Sequence, residues 1–103
     1  MNKYIPTFEE FVNESSINES ITFDELRSKF EKNPYGIGAQ LSYYEEGKNG
    51  NPDTLVFKHD DKGRRDYMLI PKLKSLGIPS KNIIKSLERG YKYPYVVTVT
   101  KFK

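Results

Sequence analysis

The chain predicts an α+β fold: one small domain with a mostly antiparallel sheet of about four strands and helices on one face, preceded by a short helical leader. Three observations predict it. Two capping boxes, Thr7 with Glu10 and Thr22 with Glu25, each open an apolar stripe of helical spacing. Runs rich in Val, Thr, Phe and Tyr recur between clusters of Gly, Pro, Asn and Asp. A length of 103 residues leaves room for one core and no second one.

In the leader, the Thr7 hydroxyl is placed to accept from the N–H of residue 10 while the Glu10 carboxylate reaches back. Phe8, Phe11 and Val12 follow at i, i+3 and i+4, with Glu9, Glu10 and Asn13 facing water. So short a helix is marginal alone and needs a partner surface to become ordered. The pair Thr22 and Glu25 then restarts the fold, with Phe23, Leu26 and Phe30 on one helical face and Arg27, Lys29 and Lys32 mostly off it. Asn33-Pro34 ends that helix, because the residue before proline is pushed out of the α region.

Gly36 and Gly38 lead into a strand over 39–45 with Leu41 and Tyr43 inward, and the turn formers of 47–53 make a hairpin. Its partner is Thr54–His59, where Leu55 and Phe57 alternate with Val56 and Lys58. A turn at Asp60-Asp61-Lys62-Gly63 precedes a third strand over 65–70, carrying Tyr67, Met68, Leu69 and Ile70. Residues 71–76 fit either one helical turn or a loop stopped by Gly77. Ser80 as N-cap and Gly90 as C′ residue bracket a helix over 81–89 with Ile83, Ile84 and Leu87 inward. Lys81, Lys85 and Arg89 then fall at i, i+4 and i+8 along one exposed side. The run 95–102, rich in Val and Thr, is the clearest strand, and the order after the leader is α-β-β-β-α-β.

Charge divides the chain. Residues 1–19 hold Lys3 against Glu9, Glu10, Glu14 and Glu19, whereas the remainder holds sixteen Lys and Arg against ten acids. Between 58 and 89 the count is nine cations (among them Arg64, Arg65, Lys81, Lys85 and Arg89) against Asp60, Asp61, Asp66 and Glu88. Such a balance points to an acidic partner, nucleic acid or protein, with those five residues as the binding surface. Tyr67, Tyr91 and Tyr93 interleave with the cations, either to stack on bases or to complete the core.

Catalytic chemistry finds little to work with: one histidine, no cysteine and no phosphate-binding glycine loop. Neither an enzyme nor a cofactor or metal site is expected. Gly36-Ile37-Gly38 is too short for a nucleotide fingerprint, and Asp60-Asp61 beside His59 reads as a pair of solvated turn formers. The absence of cysteine rules out disulfides and thiolate zinc sites. No basic n-region followed by an apolar h-region marks a secretory signal, and no apolar run reaches bilayer length, so no membrane partner is expected.

The pattern Lys3-Tyr4 … Thr7-Phe8-Glu9-Glu10-Phe11-Val12-Asn13-Glu14 resembles the capsid-targeting leader of internal head proteins in tailed phages of the T-even type. In that family the leader carries its cargo into the prohead core, and a prohead protease cuts after Leu or Ile, any residue, then Glu. Ile17-Asn18-Glu19 fits that rule, with Ser20 as the new N-terminus; Val12-Asn13-Glu14 fits less well because Val replaces Leu or Ile. The resemblance implies leader docking through Phe8, Phe11 and Val12, release in the virion head, co-packaging with DNA and delivery to the host cytoplasm. By the same analogy the released domain binds and inhibits a host defence protein.

The body offers a second resemblance. Leu55 through Gly63, followed by an apolar strand and a helix, resembles the sheet of HicA-type ribonuclease toxins, which share the double-stranded-RNA-binding fold. There the catalytic histidine stands a few residues before the strand's phenylalanine, where this chain has Thr54, which cannot serve as a general base near neutral pH. His59 matches only a turn-proximal, non-catalytic position, and the C-terminal strand is an addition. The readings in competition are therefore an internal head protein, a non-catalytic nucleic-acid-binding module and a silent relative of the toxins.

Overall fold

The computed structural model describes residues 20–102. The leader helix, its docking residues Phe8, Phe11 and Val12, and Ile17 and Glu19 of the processing site lie outside the described residues. Helix α1 (Phe23–Phe30) begins as expected: Thr22 Oγ1 accepts from Glu25 N at 3.1 Å and Glu25 Oε1 accepts from Thr22 N at 2.9 Å. A 3₁₀ turn (Pro34–Ile37) leads into strand β1 (Leu41–Glu45), which pairs with β2 (Thr54–His59). Asn49 and Gly50 both take positive φ, 56° and 85°, and Asn51 N donates to Lys48 O, the mirror-image turn whose twist suits a hairpin.

The fold class is the expected one: α+β, four antiparallel strands, with two helices covering one face. Two segments exchange identities. Residues 65–70 are helical, not a strand: Lys62–Arg64 (α), Arg65–Leu69 (π) and Ile70–Ser75 (α) form one continuous helix, α2. The presumed turn is its cap, since Asp61 Oδ1 accepts from Gly63 N at 2.8 Å and Arg64 N at 3.3 Å. Pro71 should break this helix, because it lacks an N–H and its ring crowds the carbonyl four residues back. The π turn absorbs it: Ile70 N donates to Arg65 O, five residues back, and Ile70 keeps α dihedrals.

Residues 81–89 are not a helix. After a 3₁₀ turn (Ser80–Asn82) comes strand β3 (Ile83–Leu87), which pairs with β4 (Tyr95–Thr100). Gly90 (φ 88°) serves the connecting turn, in which Tyr91 N donates to Glu88 O, and is not a helix cap. Val97 and Val99 of the neighbouring strand give β-branched Ile83 and the residues after it a ladder to join, which outweighs the helical brackets. The order is thus α-β-β-α-β-β, with sheet order β1-β2-β4-β3.

Register assigns the faces. Leu55, Phe57, Val97 and Val99 meet Phe23, Leu26 and Phe30 of α1 and Leu69 and Leu73 of α2 in the core. Ser42 and Tyr44 share this face, so the expected inward pair, Leu41 and Tyr43, in fact points to the open side. The cause is α1's C-terminus: buried Ser42 Oγ donates to the Phe30 and Glu31 carbonyls there, and the Phe30 carbonyl also accepts from Asn33 N at 3.2 Å.

Candidate interaction surface

The five cations expected to form one binding face are placed differently. Arg64 is exposed on α2. Arg65, its neighbour, is 5% exposed and turned inward: Nε donates to Asp66 Oδ1 at 2.9 Å, Nη1 to the Ser86 carbonyl at 2.8 Å, and the guanidinium lies over the Tyr95 ring at 5.3 Å. It belongs to the scaffold and not to a surface. Lys81 is exposed in the turn before β3, Lys85 within β3, and Arg89 just beyond it. They do not share a helix stripe; they follow one edge of the sheet.

β3 is that edge and is exposed along most of its length. Glu88 N donates to Pro94 O at 2.8 Å, so by the alternation of an antiparallel ladder Ser86 and Ile84 bond to β4. Lys85 and Leu87 then turn their N–H and C=O groups outward. The Ile83 carbonyl does the same, while its N–H donates to Ser80 O. Acids near this edge are engaged. Asp66 sits between Arg65 and Lys85 Nζ, the latter at 3.8 Å, and the Arg65 hydrogen bond first, then the charges of Arg65 and Lys85, hold its carboxyl below the usual value. Glu88 accepts from Lys58 Nζ at 2.7 Å, a bond that raises the Lys58 ammonium above its ordinary value. The opposite edge, β1, ends in Glu45 and continues to Glu46. The Arg27 guanidinium lies over the Tyr44 ring of that strand at 3.6 Å, so the β1 edge carries both signs.

At its N-terminal end β3 opens onto a groove of about 540 Å³, with Ile21, Pro79 and Phe102 as apolar lining and Lys81 and Lys101 as cations. No acid lines it. On the outer side of α2, Lys62, Arg64, Lys72 and Lys74 are exposed around Tyr67 and Met68. Tyr67 is 82% exposed and Tyr91 69%, so neither completes the core, whereas Tyr93 is half-buried. The exposure of Tyr67 follows from α2 being a helix and could not be read from an apolar run taken as a strand.

His59 ends β2 beside a cleft of about 460 Å³ that also holds Tyr35, Gln40, Arg64 and Met68. Its Nδ1 accepts from Asp61 N at 2.9 Å, which leaves the proton of a neutral ring on Nε2. Asp61 is spent on the helix cap. No group of three or more potential metal ligands occurs among the described residues. Thr54 opens β2, paired with Glu45 and Thr100, and the segment that the toxin-like resemblance makes the next strand is α2. No helix among the described residues is long and apolar enough to cross a membrane. No protein-family model, curated protein or solved structure matches the chain.

Proposed function

We propose that this chain is an internal head protein of a tailed phage: its acidic leader docks in the prohead core, the prohead protease cuts after Glu19, and the basic domain travels with the DNA into the host cytoplasm. There it acts by binding an acidic partner and not by catalysis. The observation that carries this reading is how the first described residues are anchored. Ile21 N donates to Leu76 O at 2.9 Å, Ile21 packs against the core, and the Thr22–Glu25 box opens α1 one residue later. A cut between Glu19 and Ser20 removes none of these anchors.

The basic edge supports the second half of the reading. Lys81, Lys85 and Arg89 are exposed, while the acids beside them are tied up in ion pairs. The test is the N-terminal mass of the protein extracted from mature particles, together with coexpression of the prohead protease. A fragment beginning at Ser20, abolished by Glu19→Ala, is the expected result. Protein that still begins at residue 1 or 2 in mature particles overturns it.

A further inference from the structure

We infer that the edge of β3, which no other described strand joins, captures an extended, acidic strand of a protein partner, which adds to the sheet as a fifth strand; this deepens the reading above and rests on it. Three observations converge on that chemistry. First, the edge presents backbone: Lys85 and Leu87 turn both N–H and C=O away from β4, and neither proline nor bulge interrupts the strand. An exposed edge of this kind is a template for pairing.

Second, the edge selects charge. Lys85 lies in the strand, Lys81 just before it and Arg89 just after it. Cations thus stand at both ends and in the middle of the strand, where acids of an added strand can meet them. The other edge strand, β1, ends in Glu45 and carries no Lys or Arg of its own. Third, the ends and faces offer apolar footing. Ile84 and Leu87 are 47% and 44% exposed, on opposite faces, and the cationic groove with Ile21, Pro79 and Phe102 continues past Asn82. A nucleic acid would use the cations but neither the backbone groups nor the alternating apolar side chains.

The experiment titrates the full chain with three ten-residue peptides: one alternating Glu with Val, the same peptide with Lys for Glu, and the acidic peptide N-methylated at alternate residues. Binding is read by fluorescence anisotropy and by amide hydrogen exchange of β3. The acidic peptide should bind and protect the Lys85 and Leu87 amides, and the other two should bind at least tenfold more weakly. Lys81→Gln with Lys85→Gln, checked for an intact sheet by its amide spectrum, should weaken the acidic peptide at least tenfold. Equal binding of the N-methylated peptide would show that backbone pairing plays no part and would overturn the inference. So would protection on α2 instead of β3, protection of β3 by a ten-nucleotide single strand in preference to the peptide, or self-association of the free chain through these same amides. None of these outcomes touches the N-terminal mass in virions, so the two readings fail separately.

Discussion

Arg65 Nη1 donates to the Ser86 carbonyl at 2.8 Å, joining α2 to the edge strand β3 through a side chain that is almost wholly buried. Its Nε meets Asp66 at 2.9 Å and its guanidinium lies over Tyr95, so one residue holds helix, edge and central strand together. Removing it strips Asp66 of its closest ion-pair partner and leaves a gap beside the Tyr95 ring. Arg65→Ala should destabilise the domain by about 2–4 kcal/mol, read from the denaturant midpoint. Arg64→Ala, one residue earlier and exposed, should change stability by no more than about 0.5 kcal/mol. Equal effects would show that Arg65 is not a tether.

The same pair of residues shows where the sequence is legible. The capping box at Thr22 and Glu25, the Asn49-Gly50 turn and the alternation of β2 rest on local chemistry, and they stand where that chemistry puts them. Residues 65–70 and 83–87 are apolar runs too short to fix a period, so tertiary context decides them. Pro71 reads as a helix breaker unless a π turn precedes it, and nothing in the sequence announces one. Ile83-Ile84 with Leu87 fits a helix face as well as a strand until Val97 and Val99 supply a ladder. The cations were visible from the start; that Arg65 is buried while Lys81, Lys85 and Arg89 follow an edge depended on those two segments.

Two glycines of the β1–β2 hairpin should respond differently to alanine. A Cβ at Gly47 would fall 2.0 Å from the Asn51 carbonyl oxygen and 2.6 Å from the Pro52 carbonyl carbon, both backbone atoms that cannot step aside. At Gly50 nothing lies within 4 Å, and only the positive φ of 85° resists substitution. Gly50→Ala should cost about 1 kcal/mol. Gly47→Ala should cost more and should also release Gly47 N from Asp53 Oδ1, now at 2.8 Å. Thermal midpoints in the reverse order would refute the crowding argument.

Acid should unfold the domain partly through Asp66. The Arg65 hydrogen bond, with the charges of Arg65 and Lys85 behind it, sets its folded value below the ordinary 3.8. A depressed carboxylate stabilises the fold at pH above its unfolded value, and the contribution disappears as pH falls through the folded value. Asp66→Asn should therefore lower stability near neutrality and flatten the loss of stability below about pH 4. Lys58, raised chiefly by its bond to Glu88, works at the other end: its contribution is complete below 10.5 and is lost as pH climbs through the folded value. Denaturant midpoints followed from pH 2 to 11 should depart from the parent slope at the acid end in Asp66→Asn and at the alkaline end in Lys58→Met. Asp66→Asn retaining the parent's acid slope would remove Asp66 from the account.

Removal of residues 1–19 should leave a cooperatively folded domain, because the core residues Phe23 to Val99 and the Ile21 N to Leu76 O bond all lie within what remains. The expected cost is about 1–2 kcal/mol if an apolar leader side chain rests on the domain, and less otherwise. A truncated chain without a cooperative transition by circular dichroism would make the leader part of the core.

The cations of the domain should matter for binding far more than for folding. Arg64 is exposed, and Lys85 is 54% exposed and reaches Asp66 only at 3.8 Å, so neither contributes much stability. Arg64→Glu combined with Lys85→Glu should stay folded, with a penalty of about 1 kcal/mol or less. Its retention on heparin or DNA should fall steeply at low salt and much less near physiological salt, because each phosphate neutralised releases counterion. An acidic protein partner would behave otherwise: charge would chiefly speed encounter, while exposed side chains such as Tyr67, Ile84 and Leu87 held the complex. The charge-reversed variant should then associate more slowly with such a partner, whereas Ile84→Ser should dissociate from it faster. Retention on DNA at low salt that is the same before and after charge reversal would reduce these cations to an ordinary solvated surface, and the positive balance of the domain would no longer point to any partner.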